Sequence, residues 1–179
     1  MDKITPHMYL ENIFAIPHDE LKENGIRGMI FDLDNTITEW HSSLISREAK
    51  QFLADLQAAE VKFCLLSNNR GKRVREMAEA LGMDYVTNAR KPFKKGYLDA
   101  CEIMGLKPAE AAMVGDQLFT DIYGGRKAGV YTILVKPIGK REMWGTKNIS
   151  RRLERLVWRR VMGNIQAGLN RVEIRQDKK

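Results

Sequence analysis

Five short apolar runs, at 28–31, 61–67, 85–87, 111–115 and 131–135, alternate along this chain with four stretches of helical periodicity, at 47–59, 72–81, 93–105 and 118–128. That alternation limits the possible folds more than any other feature. Apolar runs of this length suit strands buried on both faces. Three of the helical stretches meet a glycine where they stop (Gly82, Gly105, Gly129), as helices often do. Strands separated by helices of this length build βαβ units, whose right-handed crossovers give a parallel sheet covered by helices on both faces. The expectation is a three-layer, Rossmann-like α/β domain with a five-stranded parallel sheet. The first 25 residues read as a short helix and turns that cover the sheet.

In such a sheet, ligands bind beyond the carboxyl ends of the strands. Four polar clusters fall there, each at the end of its own run. Asp32-Leu-Asp34-Asn-Thr36 follows 28–31, and Ser67-Asn68-Asn69 closes 61–67. Lys91-Pro92 opens the helical stretch after 85–87, and Gly115-Asp116 ends 111–115 with Asp121 close behind. Side chains two apart on a strand share a face, so Asp32 and Asp34 can face one point. Carboxylates converging on one point repel unless a cation or a shared proton lies between them. Each cluster alone also suits a turn or a helix cap. Their joint order along successive strands points to chemistry instead.

With these residues in this order, the chain resembles the haloacid dehalogenase superfamily of phosphohydrolases from about Gly28 to Val135. The pattern Leu21…Gly25-Ile-Arg-Gly before the Asp-Leu-Asp-Asn-Thr motif, with Ala-Arg-Lys-Pro-Phe-Lys-Lys later, is similar to the YqeG-like group of subfamily IIIA. That group is related to mitochondrial-type phosphatidylglycerophosphate phosphatases. The resemblance implies a Mg²⁺-dependent phosphatase that works through an aspartyl-phosphate. Asp32 would be the nucleophile, and Asp34 would be the acid that protonates the leaving oxygen and then activates water. Metal ligands would be the Asp32 carboxylate, the Asp34 backbone carbonyl and Asp116. Ser67 and the Asn68 amide would bind the phosphoryl oxygens, with Lys91 neutralising charge there. Asp121 would hold a metal-bound water or orient Lys91, and Thr36 would support the loop by hydrogen bonding. Lys94 and Lys95 compete with Lys91, but they fall inside the helical stretch and would point elsewhere.

The gaps between motifs carry information too. The segment 32–67 has room for a loop and one helix, and 67–91 for one helix and one strand, so neither holds a cap domain of ordinary size. An uncapped site cannot close over a small metabolite, which favours a phosphate carried on something large. The expected substrate is phosphatidylglycerophosphate at a membrane surface. The alternatives are a phosphatase of protein or polynucleotide phosphates, or a non-catalytic RNA- or ribosome-associated adaptor.

Charge separates the last part of the chain from the rest. Of the 30 Lys and Arg residues, 13 lie from Lys136 onward, against 4 of the 23 Asp and Glu. The net +7 therefore describes an appendage, read as 148–179 beside a phosphatase domain at 1–147. There Ile149, Leu153, Leu156, Val157 and Val161 recur at helical spacing, amid Arg151, Arg152, Arg155, Arg159 and Arg160. Such a basic amphipathic helix can pack on the body, lie on an anionic membrane or meet nucleic acid. No apolar stretch approaches the roughly 18 residues a spanning helix needs, and the first residues lack a signal-peptide pattern. The chain reads as cytoplasmic, in peripheral contact with the inner face of the membrane through 149–179. Cys64 and Cys101 read as buried thiols, and His7, His18 and His41 as surface or capping residues.

Overall fold

The computed structural model describes residues 4–40, 42–139, Val161 and Gly163. Six strands form one parallel sheet: β1 (Met8–Leu10), β2 (Gly28–Phe31), β3 (Lys62–Leu66), β4 (Asp84–Val86), β5 (Ala111–Gly115) and β6 (Tyr131–Val135), in the order β1-β6-β5-β2-β3-β4. The helices are α1 (His18–Glu23), α2 (Arg47–Ala58), α3 (Lys72–Ala80), α4 (Lys94–Met104) and α5 (Gly124–Ala128).

Side chains of each central strand alternate between two cores. Met29 and Phe31 of β2, with Leu65, Val114 and Ile133, face Leu21 of α1, Leu53 and Leu56 of α2, and Val74 and Met77 of α3. Ile30, Cys64, Leu66 and Met113 face Tyr97, Ala100, Cys101 and Met104 of α4. Burial on both faces explains why these strands lack polar alternation. The helices bury residues three and four apart, as an amphipathic stripe requires. Ser46 caps α2 by accepting from the Ala49 N–H at 3.0 Å. Gly105 and Gly129, at φ 64° and 88°, end α4 and α5 in the left-handed region that glycine enters at no steric cost.

Two expectations are corrected. The sheet has six strands, not five, because part of the first 25 residues is a strand: Met8, Tyr9 and Leu10 pair with Ile133, Leu134 and Val135 at the sheet edge. The stretch 118–128 is not one α-helix. It runs as a wider π-helical turn over Leu118–Tyr123 before tightening into α5. His41 and nearly all of 148–179 lie outside the described residues. Val161, inside that segment, is buried against Tyr9, Ile122 and Leu134.

His7 is half-buried and held by its neighbours, not a free surface or capping residue. Its ring stacks on Tyr131 with centroids 4.4 Å apart, and Nδ1 accepts from the Thr132 N–H at 2.9 Å while Nε2 lies against Arg126. Burial, reinforced by the Arg126 charge, pushes its pKa down to about 4. It joins β1 to β6 as a neutral ring. His18 begins α1 beside Asp19, at 3.6 Å.

Candidate active site

All six strands are parallel, so their carboxyl ends lie on one edge of the sheet, and the four motif clusters gather there. The ladder of β2 continues one residue past its end, with the Asp32 N–H donating to the Val114 carbonyl at 2.9 Å. This anchors Asp32 between β5 and β3. Beyond it the chain folds into a tight loop. The Leu33 carbonyl accepts from the N–H groups of Ile37 and Thr38, and Asn35 takes φ 63° with its N–H on the Thr38 carbonyl at 2.7 Å. Asparagine tolerates that conformation better than most residues.

Asp32, Asp116 and Asp121 form the acidic centre, with one carboxylate oxygen from each lying within 4.8 Å of the others. Lys91 is buried among them. Its Nζ donates to Asp32 Oδ1 at 2.5 Å and to Asp121 Oδ1 at 2.7 Å. The second Asp121 oxygen accepts from the Gln117 N–H at 3.1 Å. Both oxygens of Asp121 are thus engaged, one by the Lys91 ammonium and one by the Gln117 backbone. The π-helical turn places Asp121 there, packed so closely on Gly115 that a Cβ at Gly115 would stand 2.3 Å from its Oδ2. Only glycine fits this strand end.

The ionisation of Asp32, Asp116 and Lys91 is shifted from the ordinary values. Asp32 is pushed up to about 7 by burial; Lys91 opposes the shift and Asp121 adds to it. Asp116 is pushed up to about 8 by burial, then by Asp121 and Asp32. Burial acts against the charge on Lys91, but Asp121 and Asp32 outweigh it and hold the ammonium above its ordinary value.

Fully ionised, the three carboxylates would exceed the one ammonium by two negative charges. Asp32 Oδ2 and Asp116 Oδ1 are also buried with no hydrogen-bond partner among the described residues. Unpaired buried acceptors are costly. A divalent cation that prefers oxygen ligands removes both deficits, and Mg²⁺ fits that donor set.

Asp34 is held separately. Its Oδ1 accepts from Arg73 Nη2 at 2.8 Å and its Oδ2 from Asn69 Nδ2 at 2.9 Å. Arg73 also donates through Nε and Nη2 to the Ser42 carbonyl, at 3.0 and 2.7 Å, tying the 39–46 loop to the site. Neither Arg73 nor Asn69 was a sequence candidate as a partner of Asp34. The available signal was position: Asn69 extends the Ser67 cluster, and Arg73 lies in the first turn of the helix after it.

Ser67 is buried at the end of β3, where its Oγ accepts from the Asn69 N–H at 3.2 Å. The Asn68 side chain is committed to the backbone of Lys91, with Oδ1 accepting from the Lys91 N–H at 2.6 Å and Nδ2 donating to its carbonyl at 3.2 Å. Asn68 therefore locks Lys91 in place, and its side-chain amide is already engaged there. Thr36 departs from expectation. Its hydroxyl is buried without a partner among the described residues. The loop is instead bonded through Asn35 and through Thr38, whose Oγ1 donates to the Leu44 carbonyl at 2.7 Å. Lys94 and Lys95 are exposed on α4, where Lys95 pairs with Asp99 at 2.8 Å, so neither replaces Lys91.

The comparisons agree with this geometry. Residues 39–129 match the haloacid dehalogenase-like hydrolase family. The chain is 35% identical over 152 residues to the Bacillus subtilis protein named "Probable phosphatase YqeG", spanning 85% of this chain and 88% of that one. It is 27% identical over 151 residues to the chloroplastic/mitochondrial phosphatidylglycerophosphate phosphatase 1 of Arabidopsis thaliana, covering 78% of this chain but only 42% of the plant protein's length. Among solved structures, the cobalt-bound deoxy-D-mannose-octulosonate 8-phosphate phosphatase of Haemophilus influenzae aligns with a TM-score of 0.51 at 16% identity, over 80% of this chain and 94% of that one. At that identity the likeness concerns the fold alone.

Proposed function

Because the chain belongs to the haloacid dehalogenase-like hydrolase family and is a phosphatase, we propose that it hydrolyses phosphate monoesters through an aspartyl-phosphate on Asp32, with Mg²⁺ as cofactor and phosphatidylglycerophosphate as substrate. The observation that carries the reaction type is the unpaired Asp32 Oδ2 beside the buried Lys91 ammonium.

A phosphate monoester is an anion, and so is its attacker, so positive charge is needed between them. Mg²⁺, held by Asp32, Asp116 and the Asp34 carbonyl, would supply that charge when bound. Lys91 supplies the rest from a fixed position. Its ammonium is braced by Asp121 and its backbone by Asn68, so little reorganisation is needed as charge develops on the phosphoryl oxygens. Asp32 attacks phosphorus and the ester oxygen leaves with a proton from Asp34. Asp34 then takes a proton from the water that cleaves the acyl-phosphate. Ser67 and the Asn68 N–H bind the phosphoryl oxygens throughout.

The substrate reading is supported by two facts. The Arabidopsis relative bears that lipid's name. Between Asp32 and Ser67 the described chain holds one helix, α2, and between Ser67 and Lys91 only α3 and β4, so neither segment carries a cap. An open site suits a phosphate presented on a surface.

Phosphate release from phosphatidylglycerophosphate in mixed micelles with Mg²⁺ tests both parts. The purified protein should turn the lipid over, and Asp32→Asn should abolish release. Cleavage of an aryl phosphate without turnover of the lipid would reject the substrate and keep the chemistry. Preference for phosphopeptides or phosphorylated oligonucleotides would reassign the substrate class.

A further inference from the structure

The loops around the acidic centre display large apolar side chains. Trp40, Leu44, Phe93 and Phe119 are 44, 83, 66 and 42% exposed. Each belongs to a segment that leaves the carboxyl edge of the sheet. Trp40 and Leu44 follow the Asp32 loop, Phe93 stands two residues beyond Lys91, and Phe119 three beyond Asp116. Single exposed apolar residues are ordinary, but a group of them around one opening marks a contact surface.

Their backbones are pinned, so burying the side chains inward would break existing bonds. The Trp40 N–H donates to Asn35 Oδ1 at 3.2 Å, and the Leu44 carbonyl accepts from Thr38. Arg73 fixes the Ser42 carbonyl between them. The Phe93 N–H donates to the Arg90 carbonyl at 2.9 Å, and Phe119 stacks on Tyr123 with centroids 5.3 Å apart.

Charge identifies the partner. The loops beyond β3 and β4 add Arg70, Arg90 and Lys94, all exposed, while Glu39 is the exposed acid of the Asp32 loop. Apolar side chains interspersed with cations match an anionic lipid surface, where aromatic rings settle at headgroup level and basic groups meet phosphates.

We propose that this edge of the sheet is a membrane-docking face, with Trp40, Leu44, Phe93 and Phe119 entering the lipid interface around the active-site opening while Arg70, Arg90 and Lys94 engage anionic headgroups. The inference rests on the reading of the substrate as a lipid-borne phosphate, and it names the surface that brings such a phosphate to Asp32. None of its residues belongs to the basic segment 149–179.

Sedimentation of the full-length protein with vesicles of phosphatidylcholine containing phosphatidylglycerol provides the test, alongside the variant Trp40→Ser/Leu44→Ser/Phe93→Ser. The three residues are exposed and lie outside the catalytic machinery, so hydrolysis of a soluble aryl phosphate should be unchanged. Vesicle partitioning should fall by about tenfold or more, and turnover of lipid in the vesicles should fall with it. A variant that partitions like the unaltered protein overturns the docking face, as does an unaltered protein that ignores anionic vesicles. Loss of partitioning by the variant, with no lipid turnover by either protein, supports the docking face and rejects the substrate.

Discussion

Replacing Lys91 by methionine keeps the length of the side chain and removes its charge. Nζ lies 2.5 Å from one oxygen of Asp32 and 2.7 Å from one of Asp121. At an effective dielectric of about 20, each pair attracts by about 6 kcal/mol before desolvation is counted. Much of that is offset by the burial of Lys91 itself. Removing one partner of a buried ionic group typically costs about 3–5 kcal/mol, because the remaining charges are left uncompensated. For a chain of this size, that lowers the unfolding midpoint by about 6–20 °C.

The deficit should depend on pH with a definite sign. Asp32 and Asp116 have folded-state pKa values raised to about 7 and about 8 from the model-compound value of 3.8. Carboxyls raised in this way bind protons more tightly in the folded state, so their stability contribution is present at low pH and lost as pH rises through those values. Without Lys91, which lowers both values, Asp32 and Asp116 protonate more readily still. The deficit should be small near pH 5.5 and full near pH 8.5. Thermal unfolding followed by circular dichroism in EDTA, at both pH values, checks this. Adding Mg²⁺ should return part of the loss at high pH, because the cation restores positive charge to the same carboxylates. If Lys91→Met unfolds within about 2 °C of the unaltered protein in EDTA at pH 8.5, Lys91 does not compensate a buried acidic centre and the electrostatic account fails.

Gly115→Ala should lower stability by about 1–3 kcal/mol through overpacking and remove most activity, since its Cβ would displace Asp121 from Lys91; normal turnover in a phosphate-release assay would contradict the bracing role. Arg73→Ala removes the donor to Asp34 Oδ1, leaving Asn69 on Oδ2, and releases its hold on the Ser42 carbonyl. It should lower kcat by about 10- to 100-fold with KM little changed, and a rise in KM alone would make Arg73 a substrate-binding residue instead. His7 has a folded-state pKa of about 4 against an ordinary 6.5, so its unfolded state gains a proton first and stability should fall as pH drops from 6.5 toward 4. His7→Gln should flatten that part of the profile when unfolding midpoints are compared at about pH 7.5 and pH 5.

The positions of the motifs were readable in the sequence because each follows a local signal, an apolar run ending in a polar cluster. The five strands so marked and all four clusters are where the pattern places them. What escaped detection depends on contacts distant in the chain. Met8–Leu10 is too short to show a period, and it is a strand only because β6, some 125 residues later, offers an edge. The π-helical turn at Leu118–Tyr123 keeps an apolar pattern close to that of an α-helix. The pairing of Arg73 with Asp34 bridges 39 positions and needs α3 to lie beside the Asp32 loop. Asn68 bonds across 23 positions to a backbone, which no side-chain pattern records. For Thr36, residue type suggested a hydrogen bond, and the loop closed without it.

Three of the four clusters issue from the adjacent strands β5, β2 and β3. Strand spacing is a fixed ruler of about 4.8 Å, set by the peptide group and indifferent to side chains. The separation of Asp116, Asp32 and Ser67 is therefore inherited from the backbone, and selection cannot retune it by ordinary substitution. What selection can change are the rims of the loops beyond the ruler. A redesign aimed at a new phosphate ester should rewrite 39–46 and the Phe93 and Phe119 turns, leaving the strand ends as they stand.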